Sequence, residues 1–203
     1  REAIRFLTTV AGGDPERTYG YVTASGSESN LFGLHVARER LPLAPLYCSE
    51  HAHYAIRKAA HLLRIELVEI PTGSDRGIDL DALAAACAQR PGRGAIVVAT
   101  VGTTMHGAID NVEGIREATA VAGETHVHVD AASGGLAAAF APEPRPRWGF
   151  YAGADSVTIS GHKLIGMPVP CGIAMARAEL VPSLAAGEYT GATDSTLGCS
   201  RSG

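Results

Sequence analysis

The sequence predicts an α/β fold, a mainly parallel sheet flanked by helices. Short β-type runs alternate with longer helical runs along the chain, and strands separated by helices build βαβ units. The run from Gly94 to Thr100 is almost continuously apolar, as a strand buried on both faces must be. A short link joins the runs at Ser156 to Ser160 and Gly172 to Ala176. It leaves no room for a crossover helix, so that pair is expected to be antiparallel.

The elements follow in order. Tyr19 to Ala24 reads as a strand. Ser27 to Leu41 reads as a helix with Leu31, Leu34 and Val36 among its apolar positions. Pro45 to Cys48 is a short strand, and His53 to Arg64 a helix. Ile65 to Ile70 alternates apolar and polar and stops at Pro71, which marks a strand. Asp79 to Arg90 is a helix, with Asp79 as its N-cap and Pro91-Gly92 as its stop. Gly94 to Thr100 is the buried strand, and Asn111 to Ala122 is helical. His126 to Asp130, Ser156 to Ser160 and Gly172 to Ala176 are strands, the last with a helix expected after it. The proline-rich stretch from Pro142 to Arg147 reads as a surface loop. No repeat or interdomain linker interrupts the pattern.

Composition narrows the function. Hydrophobic residues are 46% and charged residues 19% of 203, which suits a globular chain and argues against disorder. There are 17 basic and 21 acidic side chains, a net charge of −4. No stretch is strongly basic, so nucleic acid and anionic membrane are not expected partners. No apolar run reaches the roughly 20 residues that a membrane span needs, and no signal-peptide pattern is present. The chain begins at Arg1 rather than Met, which suggests a fragment. Cys48, Cys87, Cys171 and Cys199 are far apart; reduced thiols in a cytoplasmic protein are the simple reading.

Of the 17 basic residues only two are lysine, Lys58 and Lys163. Lys58 falls in a helix, where a solvated position is natural. Lys163 falls between Ile159 and Ile165, an apolar setting that reads as sequestered. A snorkelling lysine at a strand end is the plain alternative.

In open α/β sheets, ligands bind beyond the carboxyl ends of the strands, and the unusual residues collect there. The first strand is followed by Ser25-Gly-Ser27 opening a helix, which suits a phosphate but by itself favours a plain N-cap. Later strands lead into Gly102-Thr103-Thr104, Asp130-Ala-Ala-Ser133 and Ser160-Gly-His-Lys163. A lysine amine, a carboxylate, hydroxyls and a phosphate-type turn form the set that pyridoxal 5'-phosphate requires. The rival reading is a zinc site. His126, His128 and Asp130 share one strand face, with His51 and His53 as further ligands. That reading leaves Lys163 and the Ser/Gly turn without a role.

The chain resembles the pyridoxal-phosphate-dependent group II amino-acid decarboxylases, closest to the bacterial histidine decarboxylase and plant serine decarboxylase branch. The matching segments are 20–30, 49–54, 102–110, 128–132, 156–163 and 167–172, with a further likeness over 194–203. The resemblance implies the large domain of PLP fold type I, aspartate-aminotransferase-like, with a seven-stranded sheet. Residues 1–203 would be that domain, without the N-terminal segment and the C-terminal small domain. The implied catalytic residues are Lys163 as Schiff-base lysine, Asp130 as partner of the pyridinium nitrogen, and His53 stacked on the ring. The implied cofactor contacts add Gly26 and Ser27 at the phosphate, Thr103 beside the ring, Ala132 on its other face, Ser160 near the phosphate and His162 beside the lysine. No metal is implied. The implied reaction takes an L-amino acid, histidine foremost, to its amine and CO2, in a homodimer with its site between subunits. Serine, valine or another small amino acid, transamination or desulfuration, and a truncated cofactor-binding protein without turnover stay open.

Overall fold

The computed structural model describes residues 1–143, 146–183, 185–187 and 192–198. Seven strands, β1 (Thr18–Thr23), β2 (Leu46–Ser49), β3 (Leu67–Ile70), β4 (Ala95–Thr100), β5 (Thr125–Asp130), β6 (Ser156–Ser160) and β7 (Gly172–Arg177), make one sheet. Their order is β1-β7-β6-β5-β4-β2-β3. From β6 to β3 every pairing is parallel, while β7 is antiparallel to both β6 and β1. The expected reversal at the short link is thus present, and β7 alone runs against the other six. Two further strands, β8 (Ala185–Gly187) and β9 (Ala192–Asp194), pair antiparallel outside this sheet.

Helices cover both faces: α1 (Glu2–Val10), α2 (Gly26–Arg40), α3 (Tyr54–Leu63), α4 (Leu80–Ala88), α5 (Val112–Ala118) and α6 (Gly135–Ala139). Val97, Ala99, Val127, Val129, Val157 and Ile159 point to one face, where they pack with Leu7, Leu83, Ile115 and Trp148. Ile96 and Val98 point to the other and pack with Leu34, Ala37, Ile56 and Ala59 of α2 and α3. All six residues of β4 are buried, as its apolar run requires. On β5 and β6 the second face is different. His126, His128 and Asp130 alternate with the valines, and Ser156, Thr158 and Ser160 alternate with Val157 and Ile159, and all six polar residues are buried. A polar strip therefore runs beneath α2.

Local chemistry sets the helix ends. Asp79 caps α4 by accepting from Ala82 N–H at 2.9 Å, and Asn111 caps α5 by accepting from Gly114 N–H at 3.0 Å. Beyond shifts of one or two residues at several ends, the structure departs from the sequence reading in these places. The helix expected over 111–122 stops at Ala118. There the Thr119 hydroxyl bonds back to the Ile115 carbonyl at 2.8 Å, and the chain tightens into a 3-10 turn over Ala120–Ala122. Ile65 belongs to the exit of α3 rather than to a strand. Its N–H donates to Ala60 O at 2.9 Å after Arg64 turns left-handed at φ 55°. After β7 the chain makes only a 3-10 turn, Ala178–Leu180. Helices α1 and α6, absent from the sequence reading, complete the face built on Leu7 and Ala138. Within the expected 142–147 loop, residues 144–145 lie outside the described set, as do Cys199 and 199–203.

Candidate active site

The carboxyl ends of β1, β4, β5 and β6 and the N-termini of α2 and α3 surround a cleft of about 160 Å³. Eight of the nine expected site residues line it: Gly26, Ser27, His53, Asp130, Ala132, Ser160, His162 and Lys163. They come from positions up to 137 residues apart and meet because the parallel strands all end on this edge.

Asp130 ends β5 and is buried. Its Oδ2 accepts from Asn30 Nδ2 at 2.8 Å, and its Oδ1 accepts from Ala132 N–H at 3.1 Å. Among the described residues both oxygens thus meet neutral donors. The Asn30 side chain continues to His128 Nε2 at 3.0 Å. His128 Nδ1 lies 2.8 Å from Ser156 Oγ, which lies 3.0 Å from His126 Nε2. Burial pushes both imidazoles down to about 3, so they are neutral. These bonds occupy His126 Nε2 and both nitrogens of His128, two of the histidines that the zinc reading used. Among the described residues no group of three or more His, Cys, Asp or Glu side chains is arranged to hold a metal ion.

At the opposite wall, Ser25 caps α2. Its Oγ accepts from Glu28 N–H at 3.2 Å, while Glu28 Oε2 reaches back to accept from Ala24 N–H, one residue before the cap, at 2.7 Å. This leaves Ser25 occupied as a cap and places Gly26 and Ser27 in the first helical turn, whose N–H groups have no helical acceptor. A β-carbon built on Gly26 would lie 2.6 Å from Ser160 Oγ. The turn and the end of β6 therefore touch, and only a glycine fits between them.

His53 is the N-cap of α3; its Nδ1 accepts from Ala55 N–H at 3.2 Å. A neutral ring then carries its proton on Nε2. His162 Nδ1 lies 2.9 Å from Cys171 O, which ties the loop after β6 to the start of β7.

Two expectations need correction. Lys163 is not sequestered: it lies in an exposed turn after β6, and Leu164, Ile165, Met167 and Val169 beside it are exposed as well. Of the two isoleucines that flank it, Ile159 is buried in β6 and Ile165 faces outward beyond the turn. Thr103 is buried but is not on the cleft wall. Its hydroxyl accepts from Ala108 N–H at 3.0 Å and closes a turn, and Thr104 lines the cleft in its place. Asn30 and Thr100 are lining residues that the sequence reading did not single out. For Asn30 a signal existed: a polar residue between Gly26 and Gly33 at helical spacing, on the face turned to the sheet.

Comparison with known proteins places this cleft in a family. The model described as the pyridoxal-dependent decarboxylase conserved domain matches residues 9–183. The histidine decarboxylase of Vibrio campbellii is 36% identical over 208 residues, covering 100% of this chain and 54% of that protein. The solved Oryza sativa TDC, crystallised with PLP and tryptamine, superposes with a TM-score of 0.79. It is 25% identical over 93% of this chain and 44% of the other. The L-methionine decarboxylase of Streptomyces sp. 590 shares the fold at a TM-score of 0.85 and 23% identity, over 100% of this chain and 60% of the other. The chain spans about half the length of the curated relatives it matches. Its sequence match over most of its length and its mixed seven-stranded sheet make it a member of the pyridoxal-dependent decarboxylase family.

Proposed function

We propose that this chain is the cofactor-binding large domain of a longer amino-acid decarboxylase, which acts on histidine and releases its amine and CO2. One observation carries the reading: Lys163, Asp130 and the first turn of α2 line a single cleft. The choice of histidine is supported by curated relatives of that name at 34–39% identity.

The residues present fit pyridoxal phosphate. The corner between Gly26 and Ser160 would put a β-carbon 2.6 Å from Ser160 Oγ, and it offers N–H and hydroxyl donors beside the Ala132 methyl, which suits a phosphate. Asp130 is held by neutral donors, so its charge is left for a cationic ring nitrogen. When bound, the cofactor supplies an electron-poor ring that accepts the electron pair left as a carboxylate departs as CO2.

The chain's own residues do the holding. Lys163 offers the primary amine that fixes the aldehyde carbon. Asp130 keeps a proton on the ring nitrogen. Gly26, Ser27 and Ser160 bind the phosphate, and Ala132 and His53 wall the ring. His53 Nε2 carries the proton delivered to the substrate carbon. His162, tied to Cys171 O, sets the loop that carries Lys163.

The working unit is a homodimer. Support comes from the loop after Lys163, where Leu164, Ile165, Met167 and Val169 are 44–61% exposed. A contiguous apolar surface of this kind is suited to a second copy. The location is cytoplasmic: Cys48, Cys87 and Cys171 are buried free thiols, at ease in a reducing compartment. Among the described residues no helix is long and apolar enough to cross a membrane.

The experiment is to supply the full-length protein and pyridoxal phosphate with a panel of amino acids and to identify the products. Histamine and CO2 from histidine are expected. Amine from serine, valine or methionine alone would move the substrate, and a keto acid or sulfide with no CO2 would overturn decarboxylation.

A further inference from the structure

Every orientation in the buried chain beneath α2 is forced from one end. A carboxylate only accepts, so Asn30 turns its amide NH2 to Asp130 Oδ2, 2.8 Å away. That turns Asn30 Oδ1 to His128, whose Nε2 must donate across 3.0 Å. With His128 neutral, its Nδ1 is bare and accepts the Ser156 hydroxyl hydrogen at 2.8 Å. The Ser156 oxygen then accepts from His126 Nε2–H at 3.0 Å. The leftover atom is His126 Nδ1, buried with no partner. In this arrangement it is a lone pair and not an N–H.

The result is a one-way relay. Each link gives a hydrogen bond toward Asp130, and no link brings a charge. Donors of this kind hold the carboxylate in place without cancelling its charge. An arginine in place of Asn30 would satisfy the charge itself and leave little for a ligand. The relay is also rigid: His126, His128 and Ser156 are wholly buried on two adjacent strands, and Asn30 is 2% exposed.

We infer that Asn30, held by His126, Ser156 and His128, is a positioning residue that holds the Asp130 carboxylate aimed at the cofactor's ring nitrogen. This rests on the reading of Asp130 given above. It adds to that reading a residue some 100 positions away in sequence, on a helix that otherwise serves the phosphate turn.

The test reads cofactor binding rather than turnover, in the full-length protein stripped of cofactor and titrated with pyridoxal phosphate. Asn30→Leu keeps the side-chain size and removes the donor; it is expected to raise Kd about tenfold, the order expected for losing one hydrogen bond to a charged group. Asp130→Ala is expected to raise it at least as much. In the Asp130→Ala background, Asn30→Leu should add less than about twofold, because the group it acts through is gone. An equal loss in both backgrounds makes Asn30 a structural residue and overturns the inference, as does unchanged affinity on Asn30→Leu alone. Unchanged affinity on Asp130→Ala instead sinks the underlying reading of Asp130. A measurement on the wild-type protein needs no variant to fold. Nitrogen NMR of the imidazoles should find His128 neutral with its proton on Nε2, and a proton on Nδ1 overturns the relay.

Discussion

A β-carbon built on Gly33 would lie 2.2 Å from Nδ1 of His128, so helix α2 meets strand β5 there with backbone against ring. Gly33 is on the face of α2 that also carries Gly26 and Asn30, and Ser156 Oγ lies 3.1 Å from the same built atom. The close approach is what brings Asn30 within reach of both His128 and Asp130.

Gly33→Ala is therefore expected to destabilise the fold by about 1–3 kcal/mol, the usual cost of forcing an extra carbon into a packed core. The sign is diagnostic. In an unobstructed helix interior the same change stabilises by up to about 1 kcal/mol. Thermal unfolding of the variant decides: a Tm equal to or above wild type would show that the helix has room to spare.

The two buried histidines should make the fold sensitive to acid. His126 and His128 are pushed from 6.5 to about 3, chiefly by burial. In the unfolded chain they take up protons below about 6.5. A neutral buried imidazole thus contributes stability that is present above that pH and lost as pH falls toward 3. The loss is about 1.4 kcal/mol per pH unit for each group. Calorimetry between about pH 7 and pH 5 should find Tm falling with acidification, with proton uptake on unfolding. A flat profile would contradict the neutral relay.

Asp110 works against that trend. Burial pushes its carboxyl up to about 6. A carboxyl raised in the fold contributes stability at low pH that is lost as pH rises through about 6, the opposite sign to the histidines. Asp110→Asn removes this opposing group, so the acid loss of stability should become steeper. At neutral pH the variant should still be less stable. Asp110 Oδ1 accepts from Ile78 N–H and Oδ2 from Thr100 N–H, both at 2.7 Å. An amide satisfies only one of these, and the orphaned N–H costs about 1–3 kcal/mol. Urea unfolding at two pH values reads both effects, and a variant at least as stable as wild type at neutral pH would refute the bridging role.

How much of this could be read beforehand depended on whether the signal was local. The unbroken apolar run of β4 told its own burial, because a strand covered on both sides needs no polar face. The period-two pattern His126-Val-His128-Val-Asp130 showed that three polar side chains share a face, yet not what they meet. Their partners, Asn30 and Ser156, are 28 to 100 residues away, and only the packing of α2 on the sheet joins them. The Ser25 cap on Glu28 N–H was legible from the Ser-x-x-Glu spacing, whereas the return bond from Glu28 goes to Ala24 N–H, one residue before the cap. Lys163 misled for a physical reason. Flanking isoleucines signal burial only when the chain continues as a strand, and here it turns after Ser160, so Ile159 is buried while Ile165 is exposed. Thr103 and Thr104 are adjacent and chemically alike, and only the Ala108 N–H bond separates the one in the turn from the one on the wall.

With only two lysines in the chain, the assignment of the reactive amine can be tested cleanly. Lys58 is on α3 with its ammonium 4.9 Å from the Tyr54 ring centroid, a solvated cation with an aromatic neighbour. Lys163 lines the cleft with Asp130 and Ser160. A guanidinium keeps positive charge but is no nucleophile at neutral pH, so arginine substitution separates charge from chemistry. In the full-length protein loaded with pyridoxal phosphate and treated with borohydride, peptide mapping should place a pyridoxyl label on Lys163. Lys58→Arg should keep that label and turnover near the wild-type level. Lys163→Arg should lose the label and lower turnover by several orders of magnitude, with the unfolding midpoint changed little, since an exposed side chain contributes little to stability. A label that persists in Lys163→Arg would move the covalent role to another amine and remove the main support for reading this cleft as a decarboxylase site.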